Sequence, residues 1–201
     1  KPEKYLSFLE NKKVGLIINQ TSVIGNASLL DVLLAKKVNV VKIFVPEHGF
    51  RGKEDAGAKV DNSVDSATGI PVISLYGKHK KPTVEDLKDI DVLVYDLQDV
   101  GVRFYTYIST LEYCMEACAE NNKQFMILDR PNPNGFYLDG PVLEAENRSF
   151  VGMQVIPIVY GMTIGEYAKM LVGEKWFNNA SSLDLKVVKC SNYTPKKKYQ
   201  L

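Results

Sequence analysis

Short apolar runs alternate with helix-spaced apolar positions along most of the chain. Val14-Gly15-Leu16-Ile17-Ile18-Asn19 is almost continuously apolar, the pattern of a strand buried on both faces of a parallel sheet. Runs from Val40 to Val45, Asp91 to Tyr95 and Gln124 to Leu128 repeat it, with Val72 to Leu75 a shorter candidate between them. Ser28 to Lys37 carries leucines at helical spacing. Thr83-Val84-Glu85-Asp86, just after Pro82, opens a second helix with an acidic variant of the capping box, and Tyr107 to Asn121 forms a third. Strand and helix in alternation imply right-handed crossovers and a parallel sheet covered on both faces, a doubly wound, Rossmann-like α/β fold.

Beyond Asp129 the texture changes to Pro, Asn and Gly. A turn-rich stretch then runs to Pro157, followed by a capped helix from Thr163 and a strand over Leu183 to Val188. This divides the chain into a Rossmann-like domain over 1–150 and a segment over 151–201, read as an extension or the start of a second, smaller α/β subdomain.

Composition narrows the class. Of 201 residues 45% are apolar and 24% charged, a globular balance. Lys plus Arg (25) nearly cancels Asp plus Glu (24), so no field draws in nucleic acid or an anionic membrane. The cluster Lys196, Lys197, Lys198 reads as solvated tail. Cys114 and Cys118 lie four apart on a helix and Cys190 is distant, so the three read as small apolar fillers rather than a disulfide framework. No apolar run approaches the ~20 residues of a membrane span, and no signal-peptide pattern opens the chain. Residue 1 is therefore expected to follow a leader already removed.

In an open parallel sheet ligands sit outside the carboxyl ends of the strands. Here those ends are polar: Asn19-Gln20-Thr21, Pro46-Glu47-His48-Gly49, Asp96-Leu97-Gln98-Asp99 and Asp129-Arg130-Pro131-Asn132. Four strands thus aim hydrogen-bonding groups at one rim, the expected place of a cleft. The glycine-rich phosphate grips of nucleotide-binding folds and the His-Glu-x-x-His metal signature are missing. A metal site would need an all-carboxylate set from Asp96, Asp99 and Asp129 beside His48. Neither a cofactor nor a metal is expected.

Glycoside cleavage needs a carboxylic acid to protonate the leaving oxygen. Glu47 fits, at a strand end beside His48 and before Gly49 and Gly52, although a strand-end carboxylate capping a helix or pairing with Arg51 fits the position too. Gly101-Val102-Arg103-Phe104-Tyr105-Thr106-Tyr107 joins aromatic rings, which stack on sugar C–H faces, to a guanidinium that grips carboxylates. Phe104 and Tyr107 also suit a helix-start core.

Val45-Pro46-Glu47-His48-Gly49-Phe50-Arg51-Gly52 and Asp96-Leu97-Gln98-Asp99-Val100-Gly101-Val102-Arg103-Phe104-Tyr105-Thr106-Tyr107 resemble the DUF1343 family of exo-β-N-acetylmuramidases. Leu128-Asp129-Arg130-Pro131-Asn132-Pro133, Asp139-Gly140-Pro141-Val142-Leu143-Glu144 and Gly161-Met162-Thr163-Ile164-Gly165-Glu166 continue the likeness in family order, while Gly135-Phe136 stands where the family more often has two glycines. The resemblance implies a Rossmann-like catalytic domain, a second smaller domain and a cleft between them. It also implies exo-hydrolysis releasing N-acetylmuramic acid from non-reducing ends of peptidoglycan fragments, outside the cytoplasm, in the periplasm or secreted.

Carried over by position, Glu47 is the proton donor and His48 orients it or binds substrate. Asp96, Gln98 and Asp99 hold sugar hydroxyls or the 2-acetamido group, Arg103 and Tyr105 flank the ring, and Asp129, Arg130 and Asn132 complete the rim. The lactyl carboxylate meets Arg51, Arg103 or Arg130. Water or the substrate's acetamido oxygen attacks the anomeric carbon, with Asp96, Asp99 and Glu144 as candidate partners for Glu47. Two rivals remain at this stage: a cell-wall-sugar binding protein that does not cut, and a metal-dependent phosphoesterase built on Asp96, Asp99 and Asp129.

Overall fold

The computed structural model describes residues 2–47, 62–196 and 198. In chain order, α1 (Leu6–Leu9) precedes β1 (Lys13–Ile18), a hairpin of β2 (Val23–Ile24) and β3 (Ala27–Ser28), α2 (Leu29–Ala35), β4 (Asn39–Val45), β5 (Ser63–Val64) and β6 (Pro71–Ser74). Then come α3 (Val84–Leu87), β7 (Val92–Asp96), α4 (Tyr107–Glu120), β8 (Gln124–Leu128), α5 (Ile164–Gly173) and β9 (Leu185–Val188).

Seven of the strands form one sheet in the order β5-β6-β4-β1-β7-β8-β9. All neighbours pair in parallel except β5, which runs antiparallel on the edge of β6. Counting the parallel strands alone, the order is 3-2-1-4-5-6, that of a doubly wound fold whose topology reverses between the first and fourth. The expected α/β fold is therefore observed, with an antiparallel edge and the β2–β3 hairpin added. Residues after 150 contribute β9 as the outer strand of this same sheet and α5 to the layer packed on it.

Period-two alternation along the central strands sorts their side chains into two cores. Ile17, Leu93, Tyr95, Phe125 and Ile127 face α4 and α5. Leu16, Ile18, Val92, Val94 and Met126 face α1 and α2. Burial on both sides explains the unbroken apolar runs, and each fully buried aliphatic side chain contributes roughly 1.5–3 kcal/mol. The helices begin where their caps dictate: Ser28 accepts from Asp31 N, and Thr83 with Asp86 and Thr163 with Glu166 form reciprocal capping boxes. Cys114 and Cys118 are free and fully buried, packing as apolar residues.

The inner face of α4 carries a buried acid. Glu112 is 3% exposed, and its Oε1 accepts from Gln154 Nε2 at 2.5 Å. Glu112 Oε2 and Gln154 Oε1 are both buried without a partner among the described residues. A proton on Oε2 supplies the donor that Gln154 Oε1 lacks, closing a ring of two hydrogen bonds between acid and amide. Burial foremost, then Glu116, raises the Glu112 carboxyl to about 7 from 4.5, against the opposing pull of Gln154 and Arg148. Since the folded value lies above the unfolded one, the stabilisation is complete below pH 4.5 and is lost as pH rises through about 7. A shift of that size corresponds to about 3 kcal/mol at its limit. Urea unfolding at pH 5 and pH 8 should show the protein weaker at the higher pH. Glu112→Gln, which carries the missing donor at every pH, should flatten that dependence; an unchanged slope would remove Glu112 as its source.

Candidate active site

The carboxyl edge of the sheet gathers polar side chains in two neighbourhoods. The first lies over β1, β4 and β6 and is closed by the start of α4. Asn19 follows β1 and is buried; its Oδ1 accepts from Thr21 N (2.9 Å) and Thr21 Oγ1 (2.6 Å), which aims its Nδ2 at Tyr107 Oη, 2.9 Å away. Glu47, half-buried, stands two residues past β4, after the buried Pro46. It shares a side-chain hydrogen bond with Tyr76, two residues past β6. Burial foremost, then Glu47, raises the Tyr76 phenol. Tyr107 is raised too, by burial first and then by the charges of Glu47 and Asp99, while Asn19 opposes. Glu47 thus bonds one protonated phenol, Tyr76, and lies within electrostatic reach of a second, Tyr107, to which Asn19 donates.

The second neighbourhood lies over β7, β8 and β9. Asp96, the last residue of β7, has a side chain only 4% exposed, and Arg130 grips it with Nε to Oδ1 at 2.6 Å and a second N–H to Oδ2 at 2.9 Å. Burial raises the Asp96 carboxyl and Arg130 pulls it back down. Asp129 accepts from Thr163 Oγ1 (2.9 Å), Gly165 N (2.8 Å) and Arg130 N (3.1 Å), so it anchors the first turn of α5 to the end of β8. Backbone donors at a helix start suit a carboxylate.

The other proposed rim residues fall into supporting positions. Asp99 Oδ2 accepts from Tyr160 Oη and, at 2.6 Å, from Gly101 N, while Oδ1 is buried without a partner among the described residues. Burial raises its carboxyl to about 6. Gln98 donates to the carbonyls of Asp99 (2.7 Å) and Pro131 (2.8 Å), tying the β7 loop to the β8 loop. Asn132 donates to Met162 O at 2.8 Å. Gly101 lies at φ +76° against it, and a Cβ there would sit 2.1 Å from Asn132 Oδ1, so only glycine fits. Arg103 donates to the carbonyls of Pro141 (3.1 Å) and Ile156, which holds it on the loops beyond the sheet. Tyr105 is exposed beside Phe104, and Glu144, also exposed, accepts from Asn147.

His48 and Arg51 lie outside the described residues. Among the described residues no group of three or more His, Cys, Asp or Glu side chains comes together to hold a metal ion. Asp96, Asp99 and Asp129 are each consumed separately, by Arg130, by Tyr160 and by the α5 start, which gives the phosphoesterase reading no ligand set. Tyr76 is the residue that sequence reasoning missed. Its signal was the same strand-end rule applied to β6, whose run ends in Ser74-Leu75-Tyr76-Gly77.

Comparison with known proteins identifies the family. Residues 14–201 match the family model described as exo-beta-N-acetylmuramidase NamZ, N-terminal. The chain is 48% identical over 199 residues to the peptidoglycan beta-N-acetylmuramidase NamZ of Bacillus subtilis, a match covering 96% of this chain and 46% of that protein. Two crystal structures of DUF1343 family proteins from Bacteroides fragilis superpose with TM-scores of 0.88 and 0.89 at 46% and 50% identity, covering 99% and 98% of this chain and 52% and 50% of theirs. The chain thus spans about half the length of its relatives, and over that span both sequence and fold agree. It belongs to the family of N-terminal domains of NamZ-type exo-β-N-acetylmuramidases.

Proposed function

We propose that this protein acts in exo-hydrolysis of peptidoglycan fragments, releasing N-acetylmuramic acid from the non-reducing end, with Glu47 as general acid. The observation that carries this reading is the setting of Glu47: a half-buried carboxyl at a parallel-strand end, bonded to Tyr76 and within electrostatic reach of Tyr107, in a chain close in sequence to a peptidoglycan beta-N-acetylmuramidase. Protonated Glu47 gives its proton to the glycosidic oxygen as the bond from that oxygen to the anomeric carbon breaks. The carbon is then attacked by water or by the sugar's own acetamido oxygen. All three carboxylates considered as partners are engaged by the protein itself, Asp96 by Arg130, Asp99 by Tyr160 and Gly101, and Glu144 by Asn147. A peptidoglycan substrate would place the enzyme outside the cytoplasmic membrane.

The test is product analysis by mass spectrometry with a disaccharide carrying N-acetylmuramic acid β-linked at its non-reducing end. Free N-acetylmuramic acid should accumulate, unaffected by a chelator, while the matching N-acetylglucosamine disaccharide stays intact. Tight binding without product would make the protein a sugar receptor instead.

A further inference from the structure

A second cleft opens at the carboxyl ends of β7, β8 and β9, on the α1–α2 face of the sheet, with a volume of about 320 Å³. Its walls differ in chemistry from the surroundings of Glu47. Ile24, Leu29, Leu128 and Val188 give its lining apolar surface. Lys4, Tyr5, Arg130 and Lys189 line it as well. Both carboxylates that line the cleft are already engaged, Asp96 by the Arg130 fork and Asp129 by the start of α5.

The donors are not used up in the same way. Nε and one terminal nitrogen of Arg130 are held by Asp96, which fixes the guanidinium plane and leaves its other terminal nitrogen without a bond inside the described chain. Among the described residues Lys4 bonds only the neutral Ser191 Oγ, at 2.8 Å. Among the described residues Lys189 has no carboxylate within ion-pair reach, and the Tyr5 hydroxyl has no hydrogen-bond partner. Tyr5 stays a donor at neutral pH, since burial first and the Asp96 charge second push its phenol up to about 12. Cys190 is excluded as a nucleophile: burial raises its thiol to about 12, and Sγ donates to Asp129 O at 2.8 Å.

Four donor side chains lining one cavity, engaged carboxylates and apolar lining are the complement of one kind of ligand. We propose that this cleft binds the carboxylate of a small molecule, with the short body attached to that carboxylate lying against Ile24, Leu29 and Val188. The carboxylate takes the free edge of Arg130 and the Tyr5 hydroxyl, and Lys4 and Lys189 add charge at the mouth. The site is separate from Glu47: neither Glu47 nor Tyr76 nor Tyr107 lines this cleft. It therefore does not depend on the glycosidase reading.

Two sources share this chemistry, a peptide-type carboxylate and the lactyl carboxylate of a muramyl sugar. Titration of the isotope-labelled protein, followed by amide NMR, separates them using N-acetyl-L-leucine against its amide and N-acetylmuramic acid against N-acetylglucosamine. An acid should shift the amides of Ile24, Leu29, Val188 and Cys190, and its neutral counterpart should not; whichever acid does so identifies the source. Tyr5→Phe keeps the packed ring but removes one donor to a charged group, and should weaken binding roughly tenfold. Lys4→Ala with Lys189→Ala, both exposed positions, should weaken it further and lessen its salt sensitivity. Equal shifts from acid and neutral partner, or no shift in this cleft from either acid, would overturn the proposal, whatever the outcome of any activity assay.

Discussion

Replacing Glu47 by Gln is expected to lower turnover by about 10²- to 10⁴-fold, the usual worth of a positioned general acid, or about 3–5 kcal/mol of barrier. Glutamine keeps the volume of the side chain and can still bond Tyr76, so the fold and the substrate affinity should change little. What is lost is the transferable proton. That loss predicts more than inactivity: a leaving group that departs readily as an anion needs little protonation, so the deficit of Glu47→Gln should shrink on a nitrophenyl N-acetylmuramide relative to the natural disaccharide. A residue of purely structural importance would cost both substrates alike. Near-normal turnover on the disaccharide would exclude Glu47 as the acid.

How far the sequence could lead was set by how local each signal is. β1, β4, β7 and β8 were readable because both faces of each are buried, which forces unbroken apolar runs. The helix starts at Ser28, Thr83 and Thr163 were readable because a cap and its partner lie three residues apart. The β2–β3 hairpin and β5 were not, since two-residue strands have no period to detect. β9 was placed within two residues, although its residues are only half-buried on the sheet edge and its pairing with β8 spans some sixty positions.

The same distinction runs through the site. Strand-end logic found Glu47, Asp96, Asp99 and Asp129 as residues, but their partners are set by tertiary pairing. Nothing near Asp96 in sequence points to Arg130, thirty-four positions on, and nothing near Asp129 points to Thr163 and Gly165. A carboxylate at a strand end therefore reads alike whether it awaits a ligand or clamps the protein's own backbone. Glu112 is the clearest case, because a helix acid normally implies a solvated face, and only the approach of Gln154 from a distant turn reveals a buried acid–amide pair.

The clamp between β7 and β8 leads to the second large effect. Arg130→Leu should destabilise the fold by about 3–5 kcal/mol, the usual cost of stranding one member of a buried pair. Asp96 would keep a side chain that is 4% exposed and lose both of its charge-assisted bonds. Its carboxyl, already raised by burial, would also lose the one influence that lowers it. The sign of the pH dependence follows: a folded value above the unfolded one means stability retained at low pH and lost as pH rises, so the deficit of Arg130→Leu should be larger at pH 8 than at pH 5. Adding Asp96→Leu removes the orphaned charge, and the double variant should regain most of the loss, because a buried ion pair replaced as a whole by apolar side chains is often close to neutral. Urea unfolding of the two single variants and the double at both pH values measures the coupling. Additive losses, with the double variant as weak as the sum, would mean that each side chain stabilises the sheet on its own and that the pair is not the clamp described.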